Sequence, residues 1–148
     1  MKTKIEILIA DDDSEDRMLI IDALQENNIK NKVQIVENGE ELLHYLKNTG
    51  NYSNKEIYPL PGVILLDLNM PKMDGREALK EIKGDKNLCS IPLIIFTTSM
   101  NDKDVHHSYK FGANSFISKP VTFSSMVNVM ESISKYWLET VELPTNIQ

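Results

Sequence analysis

The chain contains one cysteine, Cys89, among its 148 residues. A lone thiol excludes an intrachain disulfide and any zinc site built from several cysteines. No apolar run approaches the ~18 residues of a membrane span. The opening stretch, Met1-Lys2-Thr3-Lys4-Ile5-Glu6, also lacks the apolar core of a secretory signal. Basic charge is in deficit, with 16 Lys and Arg against 22 Asp and Glu and a net of −6. That balance argues against nucleic acid, which rewards clustered cations. Internal repeats and low-complexity tracts are absent as well. These absences describe a cytoplasmic protein that engages neither membrane nor nucleic acid. What remains is a hydrophobic fraction of 41%, enough for a core, in a length that suits one domain.

Apolar runs and helical patterns alternate along the chain. Residues 5–10 form a short, β-branched, apolar strand. Ser14 can cap a helix whose apolar face carries Met18, Leu19, Ile21, Ala23 and Leu24. A second strand covers 33–36, and Asn38 caps a helix bearing Leu42, Leu43 and Leu46. Residues 48–61, rich in Asn, Gly and Pro, read as an extended surface loop. The strand at 63–66 is the most apolar. A helix follows over 75–83, then a strand at 93–96 and a helix over 102–111 ended by Gly112. A short strand at 115–117 precedes a last helix over 122–138, and the remaining tail reads as irregular. Strands this apolar are covered on both faces, which implies a parallel sheet with helices on each side. Ligands of such folds bind beyond the carboxyl ends of the strands, where strand order reverses.

Polar residues of a particular kind follow those strands. The first ends in Asp11-Asp12-Asp13, the third in Asp67, the fourth in Thr97, and the fifth just before Lys119. Polar residues commonly follow strands, but this set suits phosphoryl transfer to a carboxylate. Clustered carboxylates repel one another unless a cation intervenes. Mg²⁺ takes oxygen ligands and would keep Asp67 ionised and nucleophilic. Lys119 supplies a mobile positive charge and Thr97 a hydroxyl donor. Asp13, Glu15 and Asp16 have a plainer reading, as acids that offset a helix macrodipole.

Four stretches carry a resemblance to the receiver domains of bacterial response regulators. They are Ile9-Ala10-Asp11-Asp12-Asp13, Leu65-Leu66-Asp67-Leu68-Asn69-Met70-Pro71-Lys72-Met73-Asp74-Gly75, Phe96-Thr97-Thr98-Ser99 and Ser118-Lys119-Pro120. The resemblance spans 1–138 as one receiver domain and leaves 139–148 as a C-terminal tail. It implies a doubly wound, flavodoxin-like α/β fold with a five-stranded parallel sheet in the order 2-1-3-4-5. It makes Asp67 the phosphoacceptor and gives Mg²⁺ to Asp11, Asp12, Asp67 and the backbone carbonyl of Asn69. Thr97 becomes the switch hydroxyl and Lys119 the partner of the phosphoryl group. A cis bond between Lys119 and Pro120 is also implied. Phe116 stands where many receivers have a switching tyrosine, so the ring is kept and the hydroxyl lost. Thr98 is bulkier than the small residue common there, which narrows access to Asp67.

Within the family the chain is most similar to the small regulators paired with bacterial phytochromes. The long loop before the third strand, residues 68–83, Ser99 to Tyr109 and the ending from Tyr136 to Pro144 carry that likeness. The implied partner is a sensor histidine kinase, phytochrome-like in type. Output would pass through protein contacts, because no DNA-binding or catalytic module follows, or through a phosphorelay. Tyr136, Trp137 and Leu138 suit core packing, with a homodimer or partner contact as the alternative. An aspartate phosphatase typically has a second acid two residues after its nucleophile, where Asn69 stands. A phosphorylation-independent adaptor would not need the complete set of side chains. The chain therefore reads as a phosphoacceptor switch and not a turnover enzyme. His106 and His107 project roughly 100° apart on a helix, a poor ligand pair, and read as solvent-facing. His44 lies on a helical segment where the sequence shows it no partner, and it is assigned no function.

Overall fold

The computed structural model describes residues 5–144. The strands are β1 (Ile7–Ala10), β2 (Val33–Val36), β3 (Val63–Leu66), β4 (Leu93–Thr97) and β5 (Ser115–Ser118). The helices are α1 (Ser14–Glu26), α2 (Gly39–Lys47), α3 (Gly75–Lys83), α4 (Asp102–Lys110) and α5 (Phe123–Ser134), which runs on into a π-helical turn, Lys135–Thr140. All strand pairings are parallel, in the order β2-β1-β3-β4-β5.

Alternation along the central strands builds two cores. Leu8, Ala10, Ile64, Leu66, Leu93 and Ile95 face α2 and α3. Ile7, Ile9, Val63, Leu65, Ile94 and Phe96 face α1 and α5. Each large aliphatic buried this way contributes roughly 1.5–3 kcal/mol. The edge strands β2 and β5 are half-buried, because each has a neighbour on one side only.

Local capping sets the helix starts. Asp13, rather than Ser14, caps α1 and accepts the N–H groups of Glu15 and Asp16. Asn38, Asp74, Asn101 and Thr122 cap the other helices. On α1 the buried residues are Ile20, Ala23 and Leu24, whereas Met18 is 65% exposed. Met18 to Ile21 are all apolar, so the run itself does not fix which of them face inward. After α4 the backbone turns through Gly112 at φ 103°, a left-handed conformation that glycine adopts at no steric cost.

The 48–61 segment is held in place. Asn48 Nδ2 donates to the carbonyls of Tyr52 and Tyr58 at 3.0 and 2.9 Å. Thr49 Oγ1 bonds the Nδ1 of His44 at 2.8 Å, a partner for that histidine that the sequence does not show. Tyr58 packs edge to face on Tyr45 and Tyr52 at 5.6 and 5.0 Å, and the rings of Tyr45 and Tyr52 are tilted at 5.5 Å. Burial pushes the Tyr52 phenol up to about 12, helped by its bond to Glu41. Packed chain also extends beyond Leu138, since Leu143 is 2% exposed within the α1–α5 core.

Two further expectations are corrected here. Among the described residues no peptide bond is cis, so Lys119–Pro120 is trans, the form favoured by about 0.5–1 kcal/mol for a prolyl bond. His107 is half-buried and stacks on Phe111 with centroids 4.6 Å apart, while His106 faces solvent. An i, i+4 spacing puts two rings on one helix face.

Candidate functional site

Backbone hydrogen bonds place two acids side by side at the centre of the sheet. Asp11 N–H donates to the Val36 carbonyl and Asp67 N–H to the Ala10 carbonyl, both at 3.0 Å. Asp11 and Asp67 thus emerge next to each other at the strand-order reversal, and they are 2% and 7% exposed. Asp12 follows at the solvent edge, and carboxylate oxygens of Asp11, Asp12 and Asp67 lie within 4.8 Å of one another.

Lys119 closes the cluster from β5. Its N–H donates to the Thr97 carbonyl at 2.8 Å, which orients the side chain inward. Its Nζ donates to Asp11 Oδ2 at 2.7 Å, Asp16 Oδ2 at 2.8 Å and Asp67 Oδ2 at 3.1 Å. Burial opposes charge on this amine, but the Asp11 and Asp16 carboxylates outweigh it and hold the pKa above the ordinary lysine range. For Asp11 burial wins. Its carboxyl sits above the ordinary value although Lys119 and the Asp13 N–H pull it down, and the nearby Asp67 charge adds to the rise.

Asp16 was expected to act only on the helix dipole. Instead α1 delivers it to Lys119, from 103 residues away in sequence. Asp13 and Glu15 keep the plainer role at the helix start. Arg17, from the next position, donates to the Asp11 carbonyl at 2.9 Å and pairs with Glu37 at 3.3 Å.

The other expected residues border the cluster. Thr97 is fully buried, and its hydroxyl accepts the Ser99 N–H at 3.3 Å. Asn69 N–H points at Asp67 Oδ1 at 3.5 Å, while its side chain is exposed. Phe116 is half-buried against the α2–α3 core, and its N–H donates to Tyr109 Oη at 3.1 Å. Thr98 is exposed at the mouth. A further network escaped the sequence reading: Arg76 pairs with Asp104, which also accepts the Ser99 hydroxyl. Its members lie up to 28 residues apart, so no local pattern announces it.

The donor set suits a hard divalent cation. Asp11, Asp12 and Asp67 offer oxygens to one point, and a single buried amine faces three of the surrounding acids. Such a surplus of negative charge, with one acid already raised by burial, favours a bound cation.

Comparison with known proteins agrees with this geometry. Residues 7–131 match the response regulator receiver domain. Response regulator Rcp1 of Synechocystis sp. is 38% identical over 138 residues, covering 93% of this chain and 92% of its own. The phosphorylated cyanobacterial phytochrome response regulator RcpA superposes with a TM-score of 0.89 at 38% identity, covering 96% of this chain and 99% of RcpA. The Mn²⁺-bound form of Rcp1 gives 0.85 at 37%, covering 95% and 99%. With acids, hydroxyl and lysine at the strand ends of a 2-1-3-4-5 sheet, this chain belongs to the response regulator receiver domains.

Proposed function

We propose that Asp67 is the phosphoacceptor of a two-component switch, and that the donor is the phosphohistidine of a sensor histidine kinase. The observation that carries this reading is the Lys119 amine, held between Asp11 and Asp67 in a pocket open at Asp12. An Asp67 oxygen attacks phosphorus, the bond from phosphorus to the donor imidazole breaks, and the imidazole keeps the electron pair. The product is an acyl phosphate on Asp67.

Asp11, Asp12, Asp67 and the Asn69 carbonyl would hold Mg²⁺. When bound, that ion neutralises charge on the carboxylates and on the incoming phosphoryl oxygens. Lys119 stays with the product and lends its charge to a phosphoryl oxygen. Thr97 turns its hydroxyl from Ser99 toward the same group, and the space it leaves is offered to Phe116. The added charge of roughly −1 to −2 shifts a two-state equilibrium and changes the face made by α4, β5 and α5. Output through protein contact follows from that face. The likeness to Rcp1 and RcpA supports a phytochrome-type kinase as partner, acting in the cytoplasm.

The test is acid-labile labelling with Mg²⁺ and a small phosphodonor such as acetyl phosphate. Wild type is expected to label and Asp67→Asn to lose the label. Labelling of Asp67→Asn at the wild-type rate would overturn the assignment.

A further inference from the structure

Arg76 lies outside the acid cluster, on the first turn of α3, yet it links the loops that border Asp67. Its Nε meets Asp104 Oδ1 at 2.7 Å and its Nη2 meets Oδ2 at 2.8 Å, a two-pronged bridge from α3 to α4. Its Nη1 reaches Asn69 Oδ1 at 3.4 Å and Asp74 Oδ2 at 3.5 Å. Asp104 Oδ2 also accepts the Ser99 hydroxyl at 2.6 Å. Ser99 in turn donates its N–H to the Thr97 hydroxyl at 3.3 Å. An unbroken series of bonds therefore joins Asn69, just past Asp67, to the hydroxyl of Thr97.

Its strength follows from geometry and burial. A planar guanidinium matches a carboxylate with two parallel bonds, which an ammonium cannot do. The two side chains are 31% and 13% exposed, so water screens them less than an open surface pair. The bond from Arg76 holds the Asp104 carboxyl down at about 2, with the Ser99 hydroxyl adding to it. The buried residue of α4 is Ser108, and beyond the clamp the helix is tied to β5 by Tyr109 Oη, which accepts the Phe116 N–H.

We propose that Arg76, Asp104 and Ser99 form a clamp that fixes the Thr97 hydroxyl and the start of α4 in the unphosphorylated arrangement, so that its release is part of switching on. The proposal rests on Asp67 being the acceptor. To reach a phosphoryl group there, Thr97 must leave the Ser99 N–H, and Asp104 anchors that same serine. A contact made only in the resting state lowers the apparent affinity for any activating ligand, and removing it raises that affinity.

The experiment is a titration with beryllofluoride, a phosphoryl mimic, at fixed Mg²⁺, followed by amide NMR in wild type, Arg76→Gln, Asp104→Asn and the charge-swapped Arg76→Asp/Asp104→Arg. Both single variants are expected to bind about five- to tenfold tighter, the size of a modest coupling between sites, and the swap to return toward wild type. In ligand-free, metal-free protein, the Ser99 amide should exchange faster in both single variants. Equal or weaker binding by the single variants overturns the clamp while leaving Asp67 as acceptor. Absence of binding by wild type overturns the acceptor reading. The clamp would then be decided by Ser99 exchange, and an unchanged rate in the single variants would reject it.

Discussion

Lys119 is the residue on which the pocket balances. Its amine is shared by Asp11, Asp16 and Asp67, of which only Asp16 retains appreciable solvent access. Removing one partner of a buried ion pair typically costs about 3–5 kcal/mol, because the remaining charge is left uncompensated. Lys119→Met leaves three mutually repelling acids. We expect a loss of about 2–4 kcal/mol in chelator, somewhat below the fully buried case, and a larger gain on adding Mg²⁺ than wild type shows. Thermal melts with EDTA and with Mg²⁺ measure both, and an equal Mg²⁺ gain in the two proteins would contradict the account. The folded amine also holds its proton to higher pH than the unfolded one. Its contribution is therefore complete below the unfolded value of about 10.4 and fades as pH rises above it. Wild type should lose more stability than Lys119→Met as pH rises above ~10, and equal losses in the two proteins would contradict the raised pKa.

At the scale of elements, α3 is docked directly on the end of β3. Gly75 N–H donates to the Leu68 carbonyl at 2.8 Å. A Cβ at Gly75 would collide with the Asp67 carbonyl and lie 2.8 Å from the Leu68 Cα. Both are backbone atoms, so the clash is not relieved by a side-chain rotation. Gly75→Ala should gain about 1 kcal/mol from helix propensity, yet overpacking costs about 1–3 kcal/mol. We expect net destabilisation and slower labelling of Asp67, read by urea unfolding and acetyl phosphate kinetics. A variant as stable as wild type with unchanged labelling would refute the tight docking. α4 contrasts with α3, because polar bonds hold its start and its apolar seat is small. Under the proposed clamp, that difference lets the start of α4 shift once those polar bonds are released.

Over the whole molecule, two cores on opposite faces of one sheet hold the rim of Asp11, Asp67, Thr97 and Lys119 between them. The chain after α5 belongs to this assembly. Val141 N–H donates to the Tyr136 carbonyl at 3.0 Å, and Leu143 returns to the α1–α5 core. Leu143→Ala is expected to cost about 2 kcal/mol, the lower end for a buried leucine because it sits at the core's margin. An unchanged urea midpoint would show that this segment adds nothing. Trp137 and Leu138 also pack here, half-buried, whereas Tyr136 is 53% exposed.

The sequence by itself determined the strand order's likeness, the two-sided core and the positions of Asp11, Asp67, Thr97 and Lys119. Asp11, Asp67 and Lys119 directly follow a strand and Thr97 ends one, and strand alternation with parallel pairing then leaves one rim where they can meet. Asp16, Arg76 and Asp104 were decided only by the tertiary structure. Their partners lie 103 and 28 residues away, so no period or motif links them. The same holds for Met18 and Ile20, whose exposure and burial depend on how α1 is rotated against α5. Local patterns specify which faces are apolar, but the pairing of distant charges arises only when those faces have packed.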